Sequence, residues 1–115
     1  MQDPSKEKMF YNDVHLYLTV LGYNVKPSNN ADLTVEGNGI KTGYYLSRKT
    51  DKTVLNKAIE NSENFDEIYL VFGDEKKYRE IRNEIPKAIG IILYADLYGF
   101  GYTFLVTRKA NKNGK

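Results

Sequence analysis

The chain has 115 residues, 41% of them hydrophobic, and 17 Lys and Arg against 15 Asp and Glu. That length predicts one domain with a real core, and a net charge of +2 is not the strong positive balance of a protein that binds nucleic acid through its overall field. With no Cys and one His, His15, the composition excludes disulfides, thiolate metal sites, a cysteine nucleophile and a multi-histidine zinc centre within the chain. No apolar run approaches the ~20 residues of a membrane span. The opening MQDPSKEK lacks the apolar segment of a signal peptide, so a cytoplasmic protein without a membrane partner is expected.

Residues 1–5 read as a flexible N-terminus, 6–107 as the folded domain and 108–115 as a flexible basic tail. Phe10, Val14, Tyr17, Leu18 and Leu21 recur at helical spacing, widened by Met9 and Leu16, and predict a helix over 6–21 that Gly22 stops. YNVK (23–26) predicts a short strand, ended by Pro27. DLTVEGNGIKTGYYLSRK (32–49) predicts a hairpin turning at Asn38-Gly39, since both residues tolerate positive φ. Thr50 or Asp51 can cap a second helix, 52–63, and EIYLVFG (67–73) reads as a strand buried on both faces. Asp74 caps a third helix running to Ile85, which Pro86 ends. AIGIILYA (88–95) and YTFLVT (102–107) are the last two strands, with Gly99-Phe100-Gly101 in the turn between them. The order predicts an α/β domain around a mixed sheet flanked by helices.

The Asn-Gly turn fixes a register for the hairpin. Gly37 pairs with Ile40, Val35 with Thr42, Leu33 with Tyr44 and Asp32 with Tyr45. Leu33, Val35, Ile40, Thr42, Tyr44 and Leu46 then share one mostly apolar face. Asp32, Thr34, Glu36, Lys41, Gly43, Tyr45 and Ser47 share the other. Glu36 and Lys41 are expected to form a cross-strand ion pair. Tyr45 is expected to lie beneath the first helix.

This order, αβββαβ with a C-terminal αββ extension, together with FDEIYLVFGDE and the later EIPKAIGIILYAD, resembles the restriction-endonuclease-like superfamily, the PD-(D/E)XK nucleases. The resemblance spans residues 6–107. It implies a metal-binding Asp at the head of the hairpin, matched by Asp32 after Ala31, and a Glu-x-Lys on the partner strand. Tyr45 and Ser47 occupy those two positions. A phenol stays protonated up to about pH 10 and is no ligand for a hard cation such as Mg²⁺. Glu36, and Glu7 on the first helix, are the remaining candidates to join Asp32 at a Mg²⁺ or Mn²⁺, with Lys49 as the cation of an active centre. No cofactor is expected otherwise.

The resemblance therefore implies a nuclease-like fold that binds nucleic acid, DNA first, without cutting it. Lys41, Arg48, Lys49 and Lys52 would contact phosphates. A divergent metal-dependent nuclease is the first alternative. A subunit that docks a partner protein or a second copy is the other, in keeping with ten tyrosines in the chain.

LYGFGYTFLV (97–106) also resembles the RNP1 motif of RNA-recognition domains, and IYLVFG (68–73) loosely resembles RNP2. That fold still needs a helix and a strand after RNP1, and only a short polar tail follows here. His15, sharing a helix with Glu7 and Tyr11, is expected to have a surface or packing role.

Overall fold

Phe10, Val14 and Leu18 repeat every fourth residue and are all buried, which ties the first helix to the sheet along one stripe. The computed structural model describes residues 4–27, 30–37, 39–47, 52–73, 75–96 and 102–110. They form α1 (Pro4–Val20), β1 (Val25–Lys26), β2 (Leu33–Gly37), β3 (Ile40–Ser47), α2 (Lys52–Glu60), β4 (Glu67–Phe72), α3 (Glu75–Ile81), β5 (Gly90–Asp96) and β6 (Tyr102–Arg108). Short 3₁₀ turns follow α2 at Ser62–Asn64 and α3 at Arg82–Glu84. These turns take up the last residues expected in the second and third helices. Asn38, the caps Thr50, Asp51 and Asp74, and the turn Gly99–Gly101 lie outside the described residues.

α1 ends on a backbone motif that only glycine holds cheaply. Gly22 has φ +91°, its N–H donates to Thr19 O at 3.0 Å, and the Tyr23 N–H donates to Leu18 O at 3.2 Å. This paired closure satisfies carbonyls that a helix end otherwise leaves orphaned. It also places Tyr23 beside the sheet, one residue past the turn.

The six strands form one sheet in the order β1-β2-β3-β4-β5-β6. β1, β2 and β3 run antiparallel, β3, β4 and β5 are parallel, and β6 returns antiparallel to β5. The fold is thus α/β with a mixed sheet. The hairpin register is the expected one, from Gly37 opposite Ile40 to Leu33 opposite Tyr44.

Two cores lie on opposite faces of the sheet. α1 covers Leu33, Val35, Tyr44, Val71, Ile92 and Tyr94. Leu55 and Ala58 of α2, with Ile81 of α3 and the nearby Phe65, cover Tyr45, Ile68, Leu70, Phe72, Ile91 and Leu93. β4 is therefore sandwiched, as its unbroken apolar run predicts. Each fully buried side chain such as Leu33 or Leu70 contributes about 1.5–3 kcal/mol relative to exposure.

The two-sided burial corrects one expectation. Tyr45 faces α2, where its ring meets Phe65 edge-on with centroids 6.5 Å apart, and Tyr44 is the residue on the α1 side. The RNP resemblance, already short of a helix and a strand, gains no support from the sheet. β5 lies between β4 and β6, and Phe104 is wedged between Tyr17 at 4.6 Å and Tyr94 at 4.9 Å, so it offers no open stacking face.

The β2 residue Thr34, 6% exposed, buries a hydroxyl with no hydrogen-bond partner. An unpaired buried hydroxyl costs free energy that an isosteric methyl avoids. Thr34→Val is expected to stabilise the protein by about 1 kcal/mol in urea unfolding. A loss of stability would show that the hydroxyl has a partner.

Candidate functional site

Parallel β3, β4 and β5 all end at one edge of the sheet. β2 begins there and β6 begins there, because each is antiparallel to its neighbour. Asp32, Ser47, Gly73, Asp96 and Tyr102 thus share this edge, and α2 and α3 start from it. Carboxyl ends of parallel strands, where helix N-termini also gather, are the usual binding edge of an α/β sheet. α1 brings its first half to the same end. Phe10 lies 5.3 Å from Tyr94, ring to ring, and the Tyr94 hydroxyl donates to the Asp13 carboxylate at 2.5 Å. Glu7 stands one turn earlier on α1, so the fold carries it to the Asp32 edge.

Asp32 holds the head of the hairpin together. Its backbone N–H donates to Tyr44 O at 3.1 Å, and its Oδ2 accepts the Leu46 N–H at 2.8 Å. The carboxylate thereby extends the β2–β3 ladder past the last backbone pair. Tyr45 is fully buried beside it and donates its hydroxyl to Asn30 O. Burial pushes the Tyr45 phenol up to about 12, and the Asp32 charge adds to the rise. At the position where the resemblance implies a metal-binding Glu, the chain has a neutral side chain locked into the core.

Tyr45 has a measurable consequence for alkaline stability. Its folded pKa lies above the unfolded value of about 10, so folding favours the protonated phenol. Stability is therefore fully present below pH 10 and is lost as pH rises through about 12. Tyr17, Tyr44 and Tyr69 are also pushed upward, chiefly by burial, and act in the same sense. Thermal unfolding between pH 9 and 12 should show a falling midpoint whose slope is shallower in Tyr45→Phe. An unchanged slope in that variant would remove Tyr45 from the effect.

The other expected site residues are not brought together. Glu36 is four residues along β2 from Asp32 in a ladder without a register shift, about 13 Å at ~3.3 Å per residue. One cation cannot bridge that distance, so the structure does not unite Glu36 with Asp32. Lys41 sits opposite Glu36 at the hairpin's far end, about 20 Å of strand from Ser47. It is separated from the basic residues that follow β3. The expected Glu36–Lys41 ion pair does not form. Lys41 instead carries its ammonium 5.4 Å from the Phe65 ring centroid, and its N–H donates to Asp66 Oδ2 at 2.8 Å. Lys52 begins α2 at the Asp32 edge, while Arg48 and Lys49 lie outside the described residues. Among the described residues, no three acidic or histidine side chains are grouped closely enough to hold a metal ion.

One expected role and one hidden one stand beside these. His15 is a helix-surface residue whose carbonyl accepts from Thr19 Oγ1 at 2.8 Å. Arg108, expected to open a basic tail, is the last residue of β6, and its guanidinium donates to Pro86 O at 2.7 Å and Ile89 O at 2.8 Å.

A second feature lies at the opposite edge. A cavity of about 560 Å³ opens on the α1 face, lined among others by Tyr17, Tyr23, Tyr44, Tyr69 and Glu67. No spacing rule links those tyrosines along the chain. Their abundance was the only signal.

Compared with known proteins, the chain matches no family model, no curated protein and no solved structure.

Proposed function

We propose that this protein is a nucleic-acid-binding domain on a restriction-endonuclease-like scaffold, and that it holds its target without cutting it. The element order, the hairpin register and the position of Asp32 at the strand-end edge support the scaffold. Buried Tyr45 carries the non-cleaving part. It fills the position of the second carboxylate and donates its hydroxyl to the backbone, while Asp32 spends one oxygen on the Leu46 N–H. Lys52 begins α2 at that edge, and Lys52 with Arg48 and Lys49, the next residues in sequence after β3, would supply the charge for phosphates. Lys41, at the far end of the hairpin, is not part of this group.

Fluorescence anisotropy on single-stranded, duplex and branched DNA, with and without Mn²⁺, tests the reading. Three phosphate contacts to duplex predict a slope of log affinity against log salt near −2.7, from about −0.9 per contact. Arg48→Glu with Lys49→Glu should reduce that slope by about two contacts and weaken binding at least tenfold. No binding at low salt overturns the proposal. Mn²⁺-dependent cutting lost in Asp32→Asn, which keeps an oxygen for the Leu46 N–H, would establish a divergent nuclease instead.

A second reading, a subunit docking a partner protein or another copy, is favoured by Leu105 and Val106, 51% and 48% exposed on the outer strand β6.

A further inference from the structure

The cavity at the α1 face lies across the sheet from the Asp32 edge and is independent of the nucleic-acid reading. It is built where the C-terminal end of α1, the start of β3 and the start of β4 meet. Tyr44 and Tyr69 are direct register partners on neighbouring parallel strands. Their rings stand nearly parallel, 14° apart with centroids at 5.5 Å. Tyr17 closes one side from α1, backed by Phe104, and Tyr23 stands at the rim, 46% exposed, where the Gly22 turn delivers it. Leu21, Ile40 and Val106 complete an exposed apolar rim.

Charge decides what such a cavity can take. No Lys, Arg or His is among its described lining residues, although Lys and Arg make up 17 of the 115 residues in the chain. Glu67 points into it from β4, on the same strand face as Tyr69. Its charge is felt by both Tyr44 and Tyr69, whose phenols are held protonated, foremost by burial. Glu36 contributes only at the hairpin end, and strand alternation directs its side chain to the opposite face. The site therefore offers one carboxylate, phenol oxygens, the electron-rich faces of aromatic rings and an apolar rim. Among the described lining residues a phosphate or carboxylate would meet only like charge and neutral hydroxyls. An ammonium would gain both the carboxylate and the rings. The volume is within the ordinary range for small-molecule sites.

We infer that this cavity binds a small amphipathic cation, an alkylammonium whose charged head meets Glu67 beside Tyr44 and Tyr69 and whose chain lies on Leu21 and Ile40. Heteronuclear NMR titration of the full chain with hexylammonium, 1-hexanol and hexanoate tests it. Hexylammonium should shift the amides of Tyr23, Thr42 and Tyr69 saturably and bind at least tenfold more tightly than hexanol, with hexanoate weakest. Glu67→Gln should reduce hexylammonium to the level of hexanol. Tyr23→Ala, at an exposed loop position that leaves the core intact, should weaken hexylammonium severalfold and hexanol much less. Equal binding of the three probes, shifts confined to residues elsewhere, or full affinity in Glu67→Gln would each overturn the assignment.

Discussion

Gly90→Ala is expected to cost roughly 3 kcal/mol of stability, a drop of about 15 °C in the unfolding midpoint of a domain this size. Gly90 opens β5 directly opposite Tyr69 of β4. The Tyr69 ring covers the space where a Cβ would stand, and the Ala110 backbone nitrogen closes it from another side at 2.7 Å. Each neighbour is held by a further contact. The Tyr69 ring is stacked on Tyr44, and its hydroxyl is hydrogen-bonded by the Ala110 backbone. Arg108 clamps the carbonyls of Pro86 and Ile89 just before the glycine, which holds the approaching chain in place. A methyl group must force these elements apart, as in overpacked cores. Urea unfolding of the variant checks the figure. A loss under about 1 kcal/mol would show that the chain after Arg108 yields readily.

Tyr45→Glu should be the most damaging change at the hairpin, and its cost should depend on pH. The substitution writes back the carboxylate that the PD-(D/E)XK resemblance implies, but into a position with no exposure and next to Asp32. Burial and the neighbouring charge both disfavour ionisation, so the folded pKa of the new Glu rises above its unfolded value of about 4.3. For an acid shifted upward, the neutral form is the one folding favours. Stability is therefore greatest below about pH 4.3 and falls as pH rises through the folded pKa. The variant should lose about 3–5 kcal/mol at pH 7.5, as when an uncompensated charge is buried, and distinctly less at pH 4.5. Unfolding curves for variant and parent at both values measure this. An equal penalty at the two would mean that the loss comes from shape alone. Mn²⁺ that restores stability to the variant at pH 7.5 would show that Asp32 and the new Glu form a metal pair.

The hairpin was legible because its information is local. Asn38-Gly39 sets the turn, the alternation of Leu33 and Val35 sets the faces, and each observed pair follows from those two facts. What alternation cannot say is which helix covers which face when both faces are buried. Tyr44 and Tyr45 look alike in the sequence, and only the path of α1 over Phe10 and Tyr94 assigns them. The Glu36–Lys41 pair failed for a related reason. Phe65, far along the chain, lies on the Lys41 side of the hairpin and draws its ammonium to an aromatic face. The candidate site was legible to the same extent. Asp32 can be placed from the turn, but the burial of Tyr45 beside it depends on α2. The tyrosines that line the cavity with Glu67 come from α1, β3, β4 and the loop after α1, so nothing short of the fold collects them.

The sheet runs in chain order, each strand beside the one made just before it. A growing chain can add β2 to β1, β3 to β2 and so on to β6 without waiting for a distant partner, which shortens the loops that folding must close. α1 is the exception. Its rings rest on Tyr94 and Phe104, in the last two strands of the sheet. The helix that precedes the whole sheet thus completes its docking only once β5 and β6 are in place, and its stripe of Phe10, Val14 and Leu18 needs shielding until then.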